Sequence, residues 1–195
     1  MDITYNIDFF SEWHCGSGLS GGATTDALLI KDKHNLPFIP GKTIKGLLRE
    51  AVEDILSLGD YSKYESSFFE AFGYSDGQNE IHNGCAFFTN AHLRKDLRDI
   101  IINKDLHSYL YRKTASTAIG ENGIAKKHSL RVIETSIPCT LEGQILNVPD
   151  HLGGLINSGL MYIKRIGANR NRGLGRCNIK IIKLKEGEKH ENITI

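Results

Sequence analysis

Long apolar runs are missing from this sequence. No stretch approaches the roughly 18 consecutive apolar residues of a membrane-spanning helix, which excludes that class of protein. An excess of one charge is missing as well: 24 Lys and Arg stand against 23 Asp and Glu, for a formal net charge of +1. Global attraction to a polyanion is therefore excluded, and nucleic-acid binding would have to rest on local clusters of charge. Cysteine is scarce. Cys15, Cys85, Cys139 and Cys177 are widely scattered and form no C-x-x-C pair, which argues against a zinc site and leaves reduced thiols, some of them in the core. The opening Met1-Asp2-Ile3-Thr4-Tyr5 has neither the basic nor the apolar region of a secretion signal, so the expectation is a cytoplasmic chain. No H-E-x-x-H, G-x-S-x-G or catalytic-cysteine signature occurs, and His82, His92, His107, His151 and His190 show no ligand spacing.

What is present fits one soluble domain. The 195 residues are 40% hydrophobic and 24% charged, enough for a real core with room for insertions. Ile3, Tyr5, Ile7 and Phe9 alternate and predict a half-buried strand over 3–10. Residues 15–25 form a glycine-rich loop, 26–30 return to strand character, and Leu36 to Gly41 is extended before a sharp break. Ile44, Leu47, Leu48, Ala51, Val52, Ile55 and Leu56 share one helical face, with Thr43 as the expected N-cap and Gly59 as the stop. Residues 60–80 are mixed. Further strands are expected at 85–88, 132–148, 161–166 and 177–184, with short helices at about 93–101 and 149–159. The tail from Lys185 to Glu191 reads as solvated. Together the order predicts an α+β fold with an antiparallel sheet and helices on one face.

Four regions carry candidate chemistry. Residues 167–176 hold three glycines and three arginines between two strand-like segments. Glycine allows close backbone approach to a phosphate, and the arginine fork matches phosphate oxygens. The segment is neither a P-loop nor a dinucleotide fingerprint, and it reads equally well as a glycine-rich hairpin with solvated arginines. Secondly, His14 and Asp26 flank flexible backbone and could act on a 2′-hydroxyl or hold a metal; the alternative is a structural histidine and a turn aspartate. Thirdly, the polar stretch 112–131 carries Arg112, Lys113, Lys126, Lys127, His128 and Arg131, and is either a backbone-contacting loop or an exposed charged one. Finally, Lys42, Lys45 and Arg49 precede Glu50, Glu53 and Asp54 along one helix. That order opposes the helix dipole and suggests an anion near the Pro40-Gly41 turn.

In combination these elements resemble the RAMP superfamily of CRISPR-associated proteins, and within it the repeated backbone subunit of type III effector complexes. Gly21-Gly22 with Thr25-Asp26 is similar to that subunit's glycine-rich segment ending in its nuclease aspartate. Leu36 to Arg49 resembles its LPxIPGSSLKGxxR signature, Thr117-Ala118 through Gly123 to Lys126 its thumb loop, and Gly167 to Gly175 its C-terminal R-G-x-G loop. The blocks match in order over nearly the whole chain. The sequence departs at Lys42-Thr43, where relatives often have Ser-Ser, and at about Asn90, where they often carry an acid.

The resemblance implies a single domain over 1–195 with a ferredoxin-like, modified RNA-recognition-motif core, a thumb at about 112–131 and a glycine-rich loop at 167–176. It implies subunits stacked along CRISPR RNA beside other subunits of the complex. The thumb would kink a guide–target duplex, and Asp26 would cut target RNA with a divalent metal, Mg²⁺ being the expectation. His14, Lys42, Lys45, Arg49, Lys126, Lys127, Arg170, Arg172, Gly173 and Gly175 become the expected RNA-contacting set, with Asp26 as catalytic residue and metal ligand. Three rivals remain at this point: a non-catalytic guide-binding or capping subunit, a metal-independent guide-processing endoribonuclease, and a purely structural protein–protein module.

Overall fold

In the computed structural model, which describes residues 1–58, 65–75 and 80–185, strand β1 (Asp2–Phe9) alternates strictly between buried and half-exposed positions. Ile3, Tyr5, Ile7 and Phe9 face the core, as the period-two pattern requires. The other described elements follow as β2 (Phe38–Ile39), α1 (Gly41–Ser57), α2 (Glu65–Phe72), β3 (Gly73–Ser75), β4 (Ile81–Asn83), β5 (Phe87–Phe88), β6 (Ala91–Leu93), α3 (Lys95–Asn103), β7 (Tyr111–Ser116), β8 (Arg131–Ser136), β9 (Thr140–Leu146), α4 (Gly153–Tyr162) and β10 (Cys177–Lys185).

The main sheet runs β10-β1-β9-β6-β2, with β5 also pairing β9, and every pairing in it is antiparallel. Reading β1, α1, β5/β6, β9, α4 and β10 in chain order gives the split βαβ–βαβ arrangement of a ferredoxin-like core. Register explains the layering. Ile3, Tyr5 and Ile7 stand opposite Ile145, Gly143 and Leu141, so one sheet face is apolar, and Ile44, Leu48, Ala51 and Val52 of α1 with Ile156 and Leu160 of α4 join the same core. Thr4, Asn6 and Asp8 face the other way, opposite Gln144, Glu142 and Thr140. No described helix is long and apolar enough to cross a membrane.

Helix α1 begins two residues before the expected cap. Thr43 lies inside the first turn, its N–H donating to the Pro40 carbonyl at 2.9 Å. The cap comes from elsewhere in the fold: the Gly41 N–H donates to Asn90 Oδ1 at 2.9 Å. Gly41 must be glycine, because a Cβ there would stand 2.1 Å from the Phe88 carbonyl oxygen. A neutral amide at position 90 thus satisfies an orphan donor of the helix N-terminus. The expected stop at Gly59 lies outside the described residues.

Other boundaries differ from the sequence reading for identifiable reasons. Met161 and Tyr162 end α4 rather than start a strand, since Ile156 and Leu160 bury at helical spacing and the Ile163 N–H still donates to Gly159. Residues 26–30 make single bridges instead of a regular strand. Helix α2 arises inside the mixed region, carried by Phe68 and Phe72, whose rings lie 4.9 Å apart. Of the stretch 112–131, residues 112–116 belong to strand β7 and Arg131 opens β8, the two pairing from Tyr111 opposite Ser136 to Ser116 opposite Arg131, while 117–130 form the loop that closes the hairpin. Beyond Lys185, which ends β10, the charged tail and His190 lie outside the described residues.

Candidate nucleic-acid interface

Residues 10–16, the continuation of β1, are the axis of the site. On one side they meet the β7–β8 hairpin. Trp13 and Ser136 exchange backbone hydrogen bonds of 3.1 and 2.9 Å, and Trp13 itself is fully buried. Glu12 reaches into the hairpin, accepting from the Thr135 hydroxyl at 2.9 Å and the Thr114 hydroxyl at 3.2 Å, and pairing with Arg112 at 3.0 Å. On the other side lies the 167–176 loop. Here the contacts are main chain: the Ala168 N–H donates to the His14 carbonyl and the Gly175 N–H to the Glu12 carbonyl, both at 2.8 Å. Glycine is needed at the two closest approaches. Gly167 (φ +96°) would put a Cβ 2.3 Å from the His14 oxygen, and Gly175 (φ +70°) would put one 1.9 Å from the Ile166 oxygen.

Asp26 sits at the distal end of the β7–β8 ladder, where the tip begins, on a segment running beside β8. Its N–H donates to the Val132 carbonyl at 2.7 Å, and its Oδ2 accepts the Val132 N–H at 2.6 Å. The residue is exposed, and Oδ1 accepts no hydrogen bond among the described residues. One face of the carboxylate is fixed while the other is open.

His14 is 4% exposed, with Nδ1 2.7 Å from the Glu134 carbonyl oxygen. An acceptor there requires Nδ1–H, so the tautomer follows from the bond. The ring expected to support the guide is thus buried, and it joins the β8 backbone to the segment that binds the glycine-rich loop. Glu134 itself binds Lys31 Nζ at 2.7 Å, and Lys31 lies 3.9 Å from the centre of the Tyr111 ring. Burial, then the Glu134 and Asp32 carboxylates, push the Tyr111 phenol well above its ordinary range, and its hydroxyl donates to the Asn35 carbonyl.

Of the helix cations, Lys42 is exposed and Lys45 half-buried, and neither makes an ion pair among the described residues. Arg49 is engaged within the fold. It binds Glu53 at 2.9 Å and the Gly73 carbonyl at 3.1 Å, and its guanidinium lies over Phe68. Arg170 and Arg172 are exposed on a short 3-10 turn whose ends, Asn169 and Gly173, are left-handed, while Gly175 is buried beneath it. Lys126 and Lys127 are exposed near the hairpin tip with Ile119, Ile124 and Leu130. Ser129 holds that tip together through Thr117, Ala118 and Lys126. A cleft of about 670 Å³ separates α1 from the loop, with Glu50 and Asp54 on one wall and Lys164, Arg165 and Arg170 on the other.

Sequence reasoning missed Glu12 and Glu134, whose partners lie far along the chain and leave no local signal, and it marked Asn90 only as a departure from the family pattern, not as the cap of Gly41. It also passed over Phe10, Lys164 and Arg165, although an aromatic at the end of an alternating strand, breaking its period, was a visible clue.

A family model for the RAMP superfamily matches residues 6–178. No curated protein matches the sequence. Among solved structures, a chain of the Type III-B Cmr-beta complex bound to cognate target RNA superposes with a TM-score of 0.68 at 10% identity, covering 93% of this chain and 97% of that one. A chain of the same complex in its apo state gives 0.67 at 11% identity, covering 94% and 98%. At such identity the likeness is one of fold.

Proposed function

The chain belongs to the RAMP superfamily, and from that premise we propose that it is a guide-RNA-binding backbone subunit of a type III CRISPR effector complex, cleaving guide-paired target RNA at Asp26. One observation carries the reading: an exposed carboxylate, fixed by the Val132 N–H at 2.6 Å, lies at the distal end of the β7–β8 ladder, just below a tip that carries exposed apolar and cationic side chains. Arg170, Arg172, Lys42 and Lys45 would hold guide phosphates, with Lys126 and Lys127 reaching along the duplex, the exposed Gly173 letting backbone come close and the buried Gly175 seating the turn on residues 12 and 166. Copies of the chain would stack along the guide beside other subunits, and base pairing would supply sequence specificity.

The fit for a divalent cation follows from the donor set. No group of three or more His, Cys, Asp or Glu that could hold a metal occurs among the described residues. Asp26 Oδ1 is one free hard-oxygen donor, which suits Mg²⁺ in its usual mode of a single carboxylate plus waters and substrate phosphates. Bound there, the cation would supply charge neutralisation at the scissile phosphate. Asp26 itself would orient the reacting ribose or take the 2′-hydroxyl proton as the 2′-oxygen attacks the adjacent phosphorus and the 5′-oxygen departs. The hairpin would prepare that step by unstacking one nucleotide and freeing its ribose from A-form geometry. The solitary state of this carboxylate is also what a non-catalytic guide-binding subunit would have.

The test is target-RNA cleavage by the assembled complex in Mg²⁺, wild type against Asp26→Ala, with target binding followed in parallel. Loss of cleavage with binding intact supports the nuclease reading, and chelation by EDTA should abolish the same activity. Unchanged cleavage would assign the chemistry elsewhere and leave a guide scaffold.

A further inference from the structure

A second cluster adjoins the first cleft and shares Lys164 and Arg165 with it. Phe10 is 61% exposed, directly after the buried Phe9. Its N–H donates to the Arg176 carbonyl at 2.8 Å, and the Arg176 N–H donates to Ser11 Oγ at 2.9 Å. Arg176 in turn bridges Arg165 antiparallel, and the Cys177 N–H donates to the Lys164 carbonyl. Three neighbouring backbone segments therefore set Phe10, Arg176 and Arg165 in one cross-strand row. With Lys164, Cys177 and Asn178 they line a cleft of about 480 Å³. That volume lies in the range of roughly 300–1,000 Å³ of small-ligand sites.

The charge pattern says what the cleft is for. Two arginines set opposite each other across a bridge repel, and a fold selected for stability alone would avoid the pair. No carboxylate lines the cleft. The nearest acids along the same strand are turned elsewhere: Asp8 accepts from the Thr140 hydroxyl, and Glu12 is held by Arg112, Thr114 and Thr135. Neither Arg176 nor Lys164 makes an ion pair among the described residues, and Arg165 directs one N–H to the Arg170 carbonyl at 3.0 Å. Lys164 and Arg165 also line the first cleft, which Glu50 and Asp54 wall, but form no ion pair with them among the described residues; an exposed aromatic face beside three cations free of ion pairs suits a planar, apolar ring joined to an anion. A nucleotide has that composition.

We propose that Phe10, Arg165, Arg176 and Lys164 form a stacking subsite for one unpaired nucleotide of single-stranded RNA, next to the glycine-rich loop. The inference rests on the RNA-binding reading above and adds a site for an unstacked base. Phe10 stacks the base, and the cations hold its flanking phosphates. A paired base has both faces covered by its neighbours, so the subsite discriminates single strand from duplex.

The test measures anisotropy of a labelled single-stranded oligoribonucleotide of about ten nucleotides and of its duplex, with the full chain alone and in the assembled complex. Phe10→Ala should weaken single-strand binding roughly tenfold with an unchanged salt slope, and leave duplex binding unaltered. Phe10→Trp should keep the affinity and report single-strand binding by quenching of its exposed indole. Arg176→Ala should lower the salt slope by about one. If Phe10→Ala binds like wild type while Arg172→Ala is weakened, the subsite is refuted and the broader RNA-binding reading stands. Normal RNA affinity with impaired assembly would make Phe10 a subunit contact and overturn the proposal. If neither form of the wild type binds RNA, the broader reading fails and the subsite with it.

Discussion

The glycine-rich loop and the β7–β8 hairpin flank the same strand, yet only the hairpin adds carboxylate anchors to its backbone bonds. The loop is held by backbone: the Ala168 and Gly175 N–H groups bind the His14 and Glu12 carbonyls, and missing side chains allow the approach. The hairpin has backbone bonds too, Trp13 with Ser136, Asp26 with Val132 and Glu134 with Ala27, but it adds a set of carboxylates: Glu12 on Thr114 and Thr135, Asp26 on the Val132 N–H, and Glu134 on Lys31. A surface built by omission is damaged by adding atoms. A surface built from carboxylates is damaged by removing them. This difference matters for function, because the loop can present backbone to a ligand while the hairpin must project side chains.

Three substitutions sharpen the contrast. Gly175→Ala adds one methyl against the Ile166 oxygen at a left-handed, buried position, and should cost about 3 kcal/mol of stability in a denaturant titration. A cost below about 1 kcal/mol, within the range of an unstrained site, would mean the loop yields easily and is not held by close approach. Glu12→Ala leaves the fully buried Thr135 and half-buried Thr114 hydroxyls only longer bonds, to the Arg112 carbonyl at 3.4 Å and to each other at 3.3 Å, for about 1 kcal/mol. Hydrogen exchange should rise in β7 and β8 and stay unchanged at residues 177–185. Equal loosening of both would erase the distinction. The smallest effect is expected at Ser129→Ala, which cuts the bonds that close the tip; global stability should move by less than about 0.5 kcal/mol while amides of 117–130 exchange faster.

The same contrast explains what could be read in the sequence. Strand β1 and helix α1 announced themselves through periods of 2 and 3.6, because each buries one face against a single core. The loop was legible because glycine at close approach leaves a compositional mark. The first strand of the hairpin was mistaken for part of an irregular loop because it buries little and carries no alternation: Tyr111 to Ser116 is mostly exposed, whereas β8, from Val132 on, falls within the strands expected at 132–148. Its anchors, Glu12, Asp26 and Glu134, are single acids whose partners lie up to 123 residues away. Arg49 and His14 were legible as polar residues in an interesting place. Their engagement with Glu53 and Gly73, and with the Glu134 carbonyl, belongs to tertiary structure alone.

The position of β1 in the sheet has a consequence for synthesis. Its two neighbours are β9 and β10, and Ile3 is paired with both Ile145 and Leu184. Until the ribosome has delivered residues 140–185, the first strand has no edge to bind, and an apolar row of Ile3, Tyr5, Ile7 and Phe9 stays uncovered. Contacts so distant along the chain slow folding and expose intermediates to aggregation. Translation of this polypeptide should therefore run for most of its length before the domain closes, and chaperone dependence should track the time between those two events.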